Sequence, residues 1–351
     1  MSEWQENKDC FQGRNVRYAC VFITLIVLTV ILFVSLLVFG AVSFPLAEVI
    51  DALSGGADLS ATSTVIVRQA RIPMAVASLL TGAALSVAGL MLQTTFRNQL
   101  AGPSILGVSA GASLGVAIVM MGASALGISS LSPLSSVSSI IGSLVGAGGI
   151  ILLLVAFSSY LKNPVMLLIV GVLTGYLASS FISLLNYFAP SDDVKSFVMW
   201  GMGSFSAVRT DQLLIMVVPI LLALVATFMM AKPLNALLLG ERYAASMGYS
   251  VKSLRTILLA LSGLLTAVVT AFCGPIGFIG LVVPHIARLL TGTSNHVVLI
   301  PATILSGSAI MLLCTLCTVF PSAAGVLPIN VVTPVIGVPV IVYVILKGRK
   351  I

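Results

Sequence analysis

Charge is what this sequence has least of: 8% of its 351 residues are Asp, Glu, Lys or Arg, against 59% hydrophobic and a mean hydropathy of +1.18. A soluble domain must keep charge on its surface, so a water-facing globule is excluded. Strict polar–apolar alternation is missing too, as in the unbroken run from Val21 to Val42, which excludes a transmembrane β-barrel. Cysteine is scarce and odd in number: Cys10, Cys20, Cys273, Cys314 and Cys317 suggest no disulfide framework. Cys314 and Cys317 have metal-like spacing but sit in an apolar stretch without a second pair or a nearby His, so packing is their expected role. The chain lacks a G-x-x-x-x-G-K-[ST] phosphate loop, so any ATP-driven work requires another polypeptide.

Long apolar runs are there instead. A helix needs about 20 apolar residues to cross the hydrocarbon core, and runs of that kind predict helices near 18–42, 73–95, 103–122, 136–160, 165–188, 210–231, 253–273, 278–292, 297–320 and 331–347. The expected fold is therefore all-α and polytopic, with residues 1–17 as a cytoplasmic tail and 18–351 as one ten-helix domain. The first run follows Lys8, Arg14 and Arg17 but is too long for a signal peptide and has no convincing cleavage site, so it is read as a retained helix.

An even number of spans puts both termini on one side. That side receives thirteen of the seventeen Lys and Arg residues, leaving Arg68, Arg71, Lys195 and Arg209 opposite, so both termini are expected in the cytoplasm. The formal charge of +7 then follows from membrane orientation, with no nucleic-acid partner implied. Glu48, Asp51, Asp58, Asp192, Asp193 and Asp211 fall outside. A charge at mid-membrane costs about 2.5–3.5 kcal/mol on insertion scales, a cost that ion-coupled transporters accept for their coupling carboxylate. No span here carries one, which argues against a secondary transporter, and His285 stands too isolated for an intramembrane enzyme.

Glycines at four-residue spacing (Gly107, Gly111 and Gly115; Gly142 and Gly146; Gly171 and Gly175) predict close helix packing. Gly102-Pro103 and Gly274-Pro275 open the third and eighth spans, as corresponding parts of an inverted repeat would. Near 233–252 the longest loop on the N-terminal side holds a short helix: Gly240, then Glu241 favouring its first turn, then Ala244, Ala245 and Met247, closed by Gly248. Such a helix fits a groove on a partner or lies on the membrane surface.

Several motifs in order carry a resemblance. Arg71-Ile72-Pro73, Thr81 to Leu85, Gly89, Gln93, Arg97-Asn98-Gln99-Leu100-Ala101, Leu106 to Ala112, Gly240 to Gly248 and Gly277 to Arg288 closely resemble the FecCD-type permeases. Those are the membrane subunits of type II ABC importers for ferric siderophores, haem and cobalamin. The resemblance implies a homodimer or pseudo-homodimer of ten-helix subunits in a bacterial inner membrane. It also implies two cytoplasmic ATPases that carry ATP and Mg, and an external substrate-binding protein. No cofactor or metal is expected on this chain, and no catalysis. It assigns ATPase coupling to Gly240, Glu241, Ala244, Ala245, Met247 and Gly248. Binding-protein docking falls to Arg71, with Arg68 beside it, and a cytoplasmic gate to Asn98, Leu100, Asn163 and Val165. Gly107, Gly111, Pro284, His285 and Arg288 are structural motif positions. Ferric siderophore is the expected cargo, with haem or cobalamin next. The sequence departs from the family at Met74 and Gln99, and at Thr315, Val319 and Val326, where members carry arginine, proline and charged residues.

Overall fold

A computed structural model describes residues 2–40, 42, 44–54, 62–122, 136–161, 163–319 and 327–348, with side chains described from residue 15 on except at 136, 159, 344, 345, 347 and 348. Asp58, Lys162 and Val326, and the side chains of Lys8 and Arg14, lie outside the described residues.

Fourteen helices are named here: α1 (Ser2–Val38), α2 (Leu46–Ser54), α3 (Thr62–Phe96), α4 (Val108–Gly122), α5 (Ser136–Tyr160), α6 (Pro164–Phe188), α7 (Ser191–Gly201), α8 (Thr210–Met229), α9 (Ala231–Leu239), α10 (Glu241–Ser246), α11 (Val251–Cys273), α12 (Ile279–Thr291), α13 (His296–Val319) and α14 (Ile329–Gly348). Seven are long and apolar enough to cross a membrane, and α4, α12 and α14 are shorter apolar helices; together the ten fall on the ten apolar runs of the sequence. The structure adds what the apolar runs do not mark. α1 is already helical at Ser2, inside the segment read as a tail, and α2, α7 and α9 are short amphipathic or capping helices in stretches read as loops.

α3 is the hub. Its apolar window is 89% buried, against 17% for α6. Lipid tails are as apolar as leucine, so helices associate here through close packing. The small residues Thr81 to Ala84, Ser86, Ala88 and Gly89 let neighbours approach from several sides. A methyl group on Gly82 would overlap the Gly307 carbonyl of α13, and one on Gly89 the Gly280 carbonyl of α12. The same device joins α4 to α5, where Gly111 and Gly115 lie against Gly146 and Gly142. Pro73 supplies no N–H to the helical ladder. Just before it α3 widens into a π turn over Val67–Arg71, in which Ile72 N–H bonds Val67 O.

Candidate functional site

Three regions carry the residues that the sequence singles out. On the first, α9 and α10 cross one end of the bundle. Gly240, at φ +134°, swings the chain out of α9 and starts α10. Gly248, at φ +85°, ends the turn beyond it. Ala244 points inward and is fully buried in the main core, so it anchors the helix and presents nothing outward, which corrects its assignment to a contact surface. Ala245 and Met247 face out with Tyr243. Glu241 accepts a 2.8 Å bond from the buried Arg255 guanidinium, which also donates to Leu161 O at 3.1 Å. Arg97 donates to Leu237 O at 3.3 Å. A concavity of about 600 Å³ between Arg97, Pro164, Leu239, Arg242 and Tyr243 lies beside α10.

Two turns border this face and are built alike. Asn98 Oδ1 accepts from Leu100 N–H, and Asn163 Oδ1 from Val165 N–H, each at 2.9 Å, leaving Leu100 and Val165 about half exposed. Gln99 stands where the family carries proline. Its carbonyl is instead held by His285, whose Nε2–H donates to it at 2.9 Å, so the ring at 7% exposure fastens α12 to this turn.

The second region lies at mid-depth. A cavity of about 200 Å³ is lined by Gly102, Pro103 and Ile105 on one side and Ile276, Phe278 and Leu281 on the other. Both Gly-Pro dipeptides thus lead short helical segments towards the same space: a 3-10 turn, Pro103–Leu106, ahead of α4, and α12 itself. Phe278 sits at φ +68°, a left-handed conformation rarely held by a bulky side chain. Asn330 fixes the extended chain before it, donating to Pro275 O at 2.6 Å and accepting from Gly277 N–H at 3.3 Å. Arg288 donates to Gln93 Oε1 at 2.8 Å, and Gln93 Nε2 donates to Leu281 O at 3.1 Å. α6 turns its least covered face outward with Tyr176, Ser180, Ser183 and Tyr187 in one stripe at helical spacing.

At the opposite end of the bundle the structure shows what the two arginines expected at the docking face hold within the chain. Arg71 is 4% exposed, lies over the Phe44 ring at 4.6 Å, and donates to Leu37 O (2.5 Å), Val38 O (2.9 Å) and Val42 O, closing the C-terminus of α1. Arg68 closes α2 through Ala52 O at 2.6 Å. Burial leaves Arg71 little surface to offer a protein outside, while Arg68 is only partly buried. Thr315 and Val319 are buried as well, Thr315 bonding Ser78 across to α3 at 2.7 Å.

Asn235, His296 and Asn330 escape the sequence reading. Each is a polar residue in or beside an apolar run whose partners lie far away in sequence: Asn235 and His296 meet each other, and Asn330 meets Pro275 and Gly277.

A model of the FecCD transport family matches residues 27–347. The vitamin B12 import system permease protein BtuC of Salmonella typhimurium (strain LT2) is 35% identical over 342 residues, covering 97% of this chain and 98% of that one. Its counterpart in Escherichia coli O9:H4 (strain HS) is 37% identical over 285 residues, 80% of this chain and 84% of the relative. Among solved structures, an inward-facing conformation of an ABC transporter described as metal-chelate type matches at a TM-score of 0.79 and 30% identity, covering 94% of this chain and 99% of that one.

Proposed function

Because this chain belongs to the FecCD transport family, as a permease of an ABC importer, we propose that it works as one half of a membrane dimer importing a corrinoid of the cobalamin type. Two ATPases act on its α10 face, and a binding protein delivers cargo at the opposite end. Both termini and α10 lie in the cytoplasm. The BtuC relatives favour cobalamin over the ferric siderophore expected from the motifs alone.

The observation that carries the reading is α10. A short helix braced from beneath by Ala244 and from the side by Glu241–Arg255, with Ala245 and Met247 free to be gripped, suits an ATPase groove. The α6 stripe supports the dimer. Hydroxyl-bearing residues on the least covered span favour a water-lined path shared with a second copy over bare lipid. Uncharged hydroxyls also suit the amide-rich rim of a corrinoid better than a bare ion. The chain contributes shape and motion; the bond-breaking chemistry belongs to ATP on the partner.

The test is ATP-dependent uptake into proteoliposomes that hold this chain with its co-purifying ATPase and binding protein, offered cobalamin, haem and a ferric siderophore in parallel. Saturable uptake of cobalamin alone is expected. Uptake of siderophore alone overturns the cargo, and a chain that retains no ATPase overturns the importer.

A further inference from the structure

Any device that turns ATPase motion into cargo movement needs a stiff connection from α10 to the helices around the cavity, and among the described residues polar links leave the α9–α10 unit at three places. Glu241–Arg255 reaches α11, but Glu241 is 40% exposed, and water-screened ion pairs hold weakly. Arg97–Leu237 O is long at 3.3 Å. The third link runs from a partly exposed residue into the buried interior. Asn235 of α9 accepts at Oδ1 from His296 N–H at 2.8 Å, capping α13 from a different helix. The same oxygen lies 2.9 Å from His296 Nδ1. An amide oxygen has no proton to give, so Nδ1 bears the hydrogen. Nε2 of the neutral ring then accepts from Thr94 O–H, 2.9 Å away on α3, whose single proton is shared with Leu90 O at 3.0 Å. Asn235 Nδ2 completes the lock by donating to Asn295 Oδ1 at 2.8 Å. His296 is 1% exposed and Thr94 3%, so the bond between them is sheltered from water and stronger for it, while Asn235 is partly exposed and its bond to Asn295 lies at the surface.

From this junction the path to the cavity is backbone against backbone. α3 meets α13 at Gly82–Gly307 and meets α12 at Gly89–Gly280, and Gly280 lines the mid-depth cavity. We propose that the Asn235–His296–Thr94 chain is the pin through which movement of α9 and α10 shifts α3 and α13, and with them α12. These are positioning residues: none of them lines the mid-depth cavity or the concavity beside α10. The proposal rests on the importer reading above.

The experiment uses the reconstituted complex of this chain with its ATPase and binding protein, and reads cargo taken up per ATP hydrolysed. Thr94→Val keeps the shape and removes the donor; Thr94→Ser keeps the hydroxyl; Asn235→Ala removes the cap. Expected are unchanged ATPase co-purification and hydrolysis, with uptake per ATP falling about tenfold in Thr94→Val and Asn235→Ala. The double variant falls no further, and Thr94→Ser stays at the wild-type ratio. Losses that multiply in the double variant mean two independent effects and overturn the pin. Should Asn235→Ala assemble poorly, Thr94→Val decides alone, and full coupling in it overturns the pin while a transporting wild type leaves the importer standing. A wild-type complex without ATPase overturns both.

Discussion

Arginine does two jobs in this chain, and only one is readable from composition. The sidedness of Lys and Arg predicts orientation, but the structure shows where the guanidiniums go: Arg17 to Leu289 and Leu290 O, Arg68 to Ala52 O, Arg71 to Leu37 and Val38 O, Arg97 to Leu237 O and Arg255 to Leu161 O. Each lies at or just past the C-terminus of another helix, where backbone carbonyls have no intrahelical partner and the dipole is negative. These partners lie far away in sequence, so nothing local announces them, and Arg71 reads equally well as a docking residue. Burial separates the two readings. Arg71→Ala is expected to lower the stability of the purified protein by about 2 kcal/mol, seen as a reduced thermal midpoint in detergent. Arg71→Lys recovers little, because a point charge cannot replace the fork. A variant as stable as the parent would return Arg71 to the surface.

At the scale of elements, the long spans were legible because hydropathy alone defines them, while α2, α7 and α9 were not, being too short or too polar to stand out. The glycine spacing predicted close packing but not which helices meet, since a four-residue period fixes a face and leaves its partner open. Gly89→Ala is expected to force α3 from α12 and cost upwards of about 1–3 kcal/mol. Gly148→Ala, with open space where the methyl would stand, changes nothing. Expression yield and monodispersity of the two variants check the contrast. The coupling segment was recognised as a helix flanked by glycines, but its inward face was not, because a six-residue helix is too short for periodicity to assign sides. Ala244→Arg is therefore expected to abolish folded protein. Ala245→Arg leaves folded protein that binds its ATPase at least tenfold more weakly, measured by co-purification; equal behaviour of the two would mean that the helix is turned otherwise.

For the molecule as a whole, ten apolar helices and a sided charge distribution predict that α10 and α7 lie across the bilayer from each other. With the native cysteines replaced, cysteine at position 192 is expected to react with a membrane-impermeant maleimide in intact cells, and cysteine at 247 only after the membrane is opened. The reverse pattern would invert the topology. The cargo was the least legible feature, because in the proposed dimer each chain would display only half of the pathway's lining.

The short helix α12 has one last implication, which concerns what the protein keeps out. Its N-terminus, the positive end of its dipole, opens on the mid-depth cavity, and Arg288 adds a full positive charge one helix length away. Among the described residues, Arg71 and Arg255 are the only buried charged side chains, and no carboxylate is buried. Both guanidiniums are engaged at helix C-termini, so the charge that faces the cavity is the positive dipole end of α12, a local barrier to cations of the kind that half-helix dipoles raise in water pores. If the proposed import path runs through this cavity, the same dipole holds cations back while the path is open, and the membrane potential is not lost to leakage.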